Sequence, residues 1–211
     1  MRQTLRIIGT RPKPFLLICA AFSLVGCKGP DFNQRYISIG VARAELDTHV
    51  PIYGGLRYGL KSDNWMSPGF GGVLADMIVN KIEDKRLAAM EQTMSRAQIR
   101  LSEMLRARFL EHIAKIANLV PSDGDAVFQL EILQHGVAEP NPFGNQVVPA
   151  MQVRARLVRR DGKSLWEKNS RIYRRSNPGV GATMEQYAAD PEKLRRDWET
   201  QTELAVEALL K

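Results

Sequence analysis

Met151–Glu167, MQVRARLVRRDGKSLWE, is the stretch that decides how this chain folds. Met151, Val153, Ala155 and Leu157 alternate with Gln152, Arg154 and Arg156, the period-two pattern of a strand with one buried face. Asp161-Gly162 follows, a dipeptide suited to the positive φ angles of a tight hairpin. A two-residue turn there sets Leu157 opposite Trp166 and Arg156 opposite Glu167. Apolar then meets apolar on one face and opposite charges meet on the other, so the register is self-consistent. The stretch predicts an antiparallel hairpin whose return strand runs from Ser164 to about Arg174.

Working outward, Phe128, Leu130 and Ile132 alternate with Gln129 and Glu131 and predict a half-buried strand. Asn141 to Asn145 is a turn cluster, and Tyr36 to Ala42 reads as a further strand. Residues 51–72 are rich in glycine and aromatics and read as a loop. From Val73 the period becomes helical, with Leu74, Ile78 and Ile82 on one side and the helix running on towards Met94. A second helix spans about Gln98 to Leu119, with Leu101, Leu105, Phe109, Ile113 and Ile116 as its stripe and Glu111–Lys115 as a favourable i,i+4 pair. Pro121 and Gly124 end it.

Two helix starts follow the hairpin. Thr183 with Gln186 three residues on is a capping box. Asp190-Pro191-Glu192 supplies an N-cap, a proline at the first helical position and an acid in the first turn. The final helix is expected to bury Leu194, Trp198, Ala205 and Leu209. The order strand, long helices, strand, hairpin, helix predicts an α+β fold: a mostly antiparallel sheet with long helices packed on one face.

The amino terminus has a different character. Arg2, Arg6, Arg11 and Lys13, with no acids among them, precede a short apolar run from Phe15 to Val25, the layout of a secretory signal. The run falls short of the ~20 apolar residues that span a bilayer, and Pro12 and Pro14 stand at its entrance. Leu24-Val25-Gly26-Cys27 resembles the lipobox of bacterial lipoproteins. The resemblance implies a diacylated Cys27 thiol, cleavage before it and acylation of the new amine. An ordinary cleaved signal is the rival; Gly26 suits its peptidase, but Leu24 is larger than its rule asks. Lys28, rather than aspartate, follows the cysteine, which in the Gram-negative sorting rule implies the outer membrane. Two or more acyl chains make a stable anchor where one is marginal. The expected organisation is a signal over 1–26, a lipidated cysteine and tether over 27–35, and one periplasmic domain over 36–211.

The signal carries four of the seven excess positive charges and leaves +3 on 185 residues. That balance does not call for nucleic acid. Cys19 leaves with the signal and Cys27 is acylated, so no disulfide is available and stability must come from the core. His49, His112 and His135 lie far apart, without HExxH spacing or a cysteine partner. No Gly-x-Ser-x-Gly elbow or phosphate-binding glycine motif is present, and Asp123 and Asp125 lack the rest of a calcium loop. The chain is expected to need no metal or cofactor and not to be an enzyme.

Two surfaces stand out as contact candidates. The segment around the hairpin is basic: Arg154, Arg156, Arg160, Lys163, Arg171 and Arg174 are its leading residues. Alternation places Arg154, Arg156 and Arg160 on one strand face. Such a face could touch anionic headgroups or an acidic partner, each basic group contributing about 1 kcal/mol near an anionic surface, or could be a solvated face kept charged against aggregation. The aromatic loop offers Tyr53, Tyr58, Trp65 and Phe70, as an exposed apolar patch or as core.

The lipobox, the glycine-rich entry Gly69-Phe70-Gly71-Gly72, the segment Asp161-Gly162-Lys163-Ser164-Leu165-Trp166-Glu167 and the tail Tyr187–Leu194 together resemble small proteobacterial envelope lipoproteins. In layout they are similar to the auxiliary lipoproteins of ABC-type lipid transport systems. The resemblance implies a membrane-tethered, non-enzymatic accessory or binding role, with an envelope protein or anionic lipid as partner. A hydrolase acting on envelope glycan or lipid is the alternative, and would need acids paired with His49 or His135 in a cleft. A purely structural envelope protein is the other.

Overall fold

A computed structural model of the chain describes residues 41–58, 73–139, 145–172 and 179–211, with backbone alone at Tyr58 and residues 73–84. Its elements are β1 (Ala44–Leu46), β2 (Leu56–Tyr58), α1 (Val73–Arg96), α2 (Leu101–Ile113), β3 (Ala126–Ala138), β4 (Val148–Arg159), β5 (Ser164–Ile172), α3 (Met184–Ala189) and α4 (Pro191–Leu210).

The hairpin forms between β4 and β5, and Leu157 faces Trp166 while Arg156 faces Glu167. Its turn is one residue longer than expected. Gly162 N–H donates to the Arg159 carbonyl and Arg159 N–H to the Lys163 carbonyl, both at 2.9 Å. Arg160-Asp161-Gly162 is thus a three-residue loop, with Gly162 at φ 84° where a side chain would be strained. A register shift between Leu157 and Val158 absorbs the extra residue, which is why the expected pairs survive.

β3, β4 and β5 are antiparallel, but the sheet as a whole is mixed. β1 and β2 both lie parallel to β3, Ala44 beside Ala126 and Leu56 beside His135. Ile52 bridges Ile132 between them, so residues 44–58 make one interrupted outer row. A parallel neighbour requires a long return connection, and α1 with α2 supplies it. The expected loop over 51–72 therefore contributes Ile52 and β2 to the sheet; residues 59–72 lie outside the described residues. The strand expected at Tyr36–Ala42 also moves, since pairing begins at Ala44. The Asp125 carboxylate accepts from the N–H groups of Ala42 and Arg43 at 3.0 and 2.9 Å and holds them out of the ladder. Residues 36–40 lie outside the described residues.

α2 is shorter than its stripe suggested. Leu101, Leu105, Phe109 and Ile113 are buried, but after Ile113 the chain tightens, with Ile116 N–H bonded to the Ile113 carbonyl three residues back at 3.0 Å. The Glu111–Lys115 pair is present at 3.7 Å. Both caps form: Gln186 N–H donates to Thr183 Oγ1 at 3.2 Å, Thr183 N–H to Gln186 Oε1 at 2.9 Å, and Lys193 N–H to Asp190 Oδ1 at 3.0 Å. In α4 the expected Leu194, Trp198, Ala205 and Leu209 are buried.

The helices pack on one face of the sheet. Met151, Val153, Ala155 and Leu157 point into the core beside Phe128, Leu130 and Ile132. Phe128 joins the layers, with ring centroids 5.4 Å from Phe109 of α2 and 6.3 Å from Trp166 of β5, both edge-on. At one end of the opposite face Ala138, Val148 and Ala150 form a small apolar cluster with Val180. Among the described residues no helix is long and apolar enough to cross a membrane.

Candidate functional site

The side of the sheet turned away from the helices is polar and follows from the same alternation. Register aligns Glu131 of β3, Arg154 of β4 and Asn169 of β5 in one cross-strand row, and Gln129, Arg156 and Glu167 in the next. Glu131 is the centre of this face. Its side chain is 4% exposed, against 30% and 32% for Arg154 and Arg156. Arg154 Nε donates to Glu131 Oε2 at 2.7 Å and its second nitrogen to the same oxygen. Arg156 donates to Oε1. The bonded Glu131 carboxylate raises the Arg154 guanidinium above its usual range, with a smaller contribution from Glu167. Tyr53 belongs to the outer row, its N–H donating to the Ile132 carbonyl at 2.9 Å. The face thus brings Arg154 and Arg156 of the basic segment together around Glu131.

The remaining sequence candidates are dispersed. Arg160 sits in the hairpin turn, beyond the strand face. Its Nε donates to the Gly124 carbonyl at 2.6 Å, and its guanidinium lies 3.2 Å from Glu45 and 3.5 Å from Asp123. Lys163 follows the turn, and its N–H donates to Asp161 Oδ1 at 3.0 Å; that bond, with Arg159 nearby, lowers the Asp161 carboxyl below its usual range. Arg171 donates to Gln152 Oε1 at 3.1 Å on the polar face. Tyr53 is 52% exposed and its neighbour Ile52 44%. Tyr58 pairs its backbone with Val137. Cys27, Trp65, Phe70 and Arg174 lie outside the described residues.

Among the described residues, two of the clefts have charged linings. One, of about 670 Å³, opens at the sheet end where β1, β3 and the hairpin turn meet, lined by Arg43, Asp123, Asp125, Arg159, Arg160 and Asp161. Its charges balance: Asp125 is held below the usual carboxylate range by the N–H groups of Arg43 and Ala42, and Arg159 lies 3.2 Å from Asp161. The other, of about 570 Å³, lies between α2 and α4 and includes Arg108, Glu199 and Glu203. There His112 Nε2 sits 2.7 Å from Glu203 Oε1, with Arg108 3.7 Å from the same carboxylate. His49 is exposed, its N–H bonded to Asp47 at 2.9 Å. His135, expected to end a strand beside Gly136, lies inside β3, and burial lowers its imidazole, with Glu91 opposing. Among the described residues no three His, Cys, Asp or Glu side chains converge as metal ligands.

Two polar centres escaped the sequence reading. Glu131 was legible only as one polar residue of an alternating strand, although fixing the register does place it opposite Arg154. The second is Asp197, 5% exposed in α4. Its Oδ2 accepts from Tyr187 Oη at 2.7 Å, the Gly181 N–H at 3.0 Å and Lys193 Nζ at 3.2 Å. Burial, reinforced by Asp197, pushes the Tyr187 phenol far up. This network ties α3 and the segment at Gly181 just before it to α4.

No protein-family model matches the chain, and no curated protein does. Among solved structures, one similar chain is a protein from Xanthomonas campestris assigned to the family model DUF330, with TM-score 0.34 and 9% identity over 49% of this chain; the chain spans 55% of that protein's length. Another is the lipoprotein GNA1162 from Neisseria meningitidis, with TM-score 0.25, 19% identity, and 62% and 81% of the respective chains covered. A third is a PelC dodecamer from Paraburkholderia phytofirmans, with TM-score 0.21, 14% identity, and 75% and 86% covered. At these values the likeness assigns neither family nor activity.

Proposed function

We propose that this chain is a proteobacterial outer-membrane lipoprotein, anchored through Cys27, whose periplasm-facing α+β domain is a non-catalytic binding or accessory module in envelope assembly or transport. The observation that carries the reading is Leu24-Val25-Gly26-Cys27 behind a basic and then apolar amino terminus. Lipid attachment confines the domain to a surface, where tethering raises effective concentration and makes weak contacts useful. The polar sheet face with Tyr53 is the contact surface. Internal pairing of Arg154 and Arg156 by Glu131 favours a protein partner over an anionic lipid surface. The test is membrane fractionation of wild type and Cys27→Ser, with mass spectrometry of the amino terminus. Wild type is expected to carry three acyl chains and to fractionate with outer membrane, and Cys27→Ser to retain residues 1–26. A wild-type product free in solution with an unmodified thiol overturns the reading.

A further inference from the structure

We infer that the cleft at the hairpin end of the sheet binds a phosphoethanolamine group, Arg43 taking the phosphate and Asp123 the ammonium. The cleft measures about 670 Å³, room for a small headgroup. Most of its charges are already committed to one another. Asp125 accepts from the N–H groups of Ala42 and Arg43. Asp161 accepts from the Lys163 N–H and lies 3.2 Å from Arg159. Arg160 donates to the Gly124 carbonyl and lies 3.2 Å from Glu45. Two charges of opposite sign are left over. Among the described residues the Arg43 guanidinium forms no ion pair, and only the more distant charge of Asp125 acts on it. Asp123 has its side chain 83% exposed and one cationic neighbour, Arg160 at 3.5 Å.

The chemistry of these two groups selects the ligand. A lone anion meets three carboxylates in this cleft and a lone cation meets three guanidiniums, so each is repelled as well as attracted. A zwitterion with both charges on one short chain finds an opposite charge at each end. A guanidinium forms paired hydrogen bonds with a phosphate. A carboxylate accepts from a primary ammonium, which carries N–H donors. A quaternary ammonium has none and is recognised by aromatic rings, and no described lining residue is aromatic. Phosphoethanolamine therefore fits where phosphocholine does not. Place agrees with chemistry. The described domain begins at Val41, two residues before Arg43 and fourteen after Cys27, and a chain of that length spans at most about 50 Å. On the anchored reading proposed above, the tether joins the domain at this end, and membrane headgroups are the near source of the ligand. The inference rests on that reading for the source alone, since a free phosphoethanolamine ester carries the same groups.

Binding is tested with the full-length protein in maltoside detergent, where the result does not depend on acylation of Cys27. Calorimetric titration compares glycerophosphoethanolamine with glycerophosphocholine and glycerophosphoglycerol, which share its phosphodiester and lack its primary ammonium. Glycerophosphoethanolamine is expected to bind about tenfold more tightly than either, the worth of one charge-assisted hydrogen bond. Arg43→Gln should weaken it by a similar factor. Asp123→Asn, which keeps a residue tolerant of φ 59°, should bring glycerophosphoethanolamine down to the affinity of glycerophosphoglycerol. Glu199→Gln, in the cleft between α2 and α4, should change nothing. Arg43 and Asp123 are both exposed, and thermal unfolding of their variants is expected to match wild type. Nanodiscs identify the source. With phosphatidylethanolamine discs the lipid should already fill the cleft and the added ester give no heat, while phosphatidylcholine discs should titrate as in detergent; equal titration in both assigns the cleft to a soluble ester. No binding of glycerophosphoethanolamine, equal affinity for the three esters, or folded Arg43→Gln and Asp123→Asn proteins that bind like wild type overturns the inference.

Discussion

At the residue scale the molecule turns on a few groups that lost water and found partners. Glu131 is buried between two half-exposed arginines. Removing it strands two guanidiniums that can rehydrate only in part. Glu131→Ala is expected to lower stability by about 1–3 kcal/mol, below the usual cost of breaking a fully buried pair because its partners reach solvent. Urea denaturation measures this, and an unchanged midpoint would mean the pairing is superficial. His135 is the pH-sensitive counterpart. Burial holds its imidazole below the usual 6.5, so the unfolded chain takes up a proton first as pH falls. Protons then favour the unfolded state, and stability drops as pH falls from 6.5 towards the folded value. The slope of Tm against pH between 7 and 5 should flatten in His135→Gln relative to wild type (usual His pKa ~6.5). Neither role was readable locally: Glu131 looked like any polar residue of an alternating strand, and His135 looked like the residue at a strand's end. Burial of each is set by chains distant in sequence.

At the scale of elements, local chemistry and long-range packing separate cleanly. Caps at Thr183 and Asp190 and the pairs Leu157–Trp166 and Arg156–Glu167 were legible because they depend on residues a few positions apart. The parallel outer row was not. β1 and β2 are three residues each, too short to show a period, and their partner β3 begins some 70 residues later than β2. What fixes the row is close approach. A Cβ on Gly136 would stand 1.8 Å from the Arg57 carbonyl oxygen, inside the β2–β3 ladder. The atoms it would meet are all backbone of Arg57 and cannot step aside. Gly136→Ala is expected to release β2 from β3 and to cost about 3 kcal/mol, at the upper end for overpacking. Amide hydrogen exchange should show lost protection at Leu56–Tyr58 with β4 and β5 unaffected; protection retained at β2 would refute this account. The overlong hairpin turn teaches the converse lesson: a bulge preserved the pairs that side-chain complementarity demanded.

At the scale of the whole molecule, stability rests on one continuous core, with Phe128 touching both Phe109 and Trp166. The chain has two cysteines, Cys19 and Cys27, both ahead of the described domain. Its thermal unfolding should therefore be indifferent to thiol reductant; a Tm that falls on reduction would reveal a covalent tie where packing alone is expected. The sequence by itself determined the α+β class, the helix caps and the antiparallel hairpin with its pairs beyond the turn, and it supplied the lipobox-like stretch on which the functional proposal stands. All of these are patterns between near neighbours, where periodicity and turn chemistry act without knowledge of the rest. Tertiary structure alone decided the mixed sheet, the burial of Glu131 and Asp197, and the separation of Arg160 from Arg154 and Arg156. Those depend on which distant segments exclude water from each other, and an alternating pattern records that a face is buried without recording what buries it.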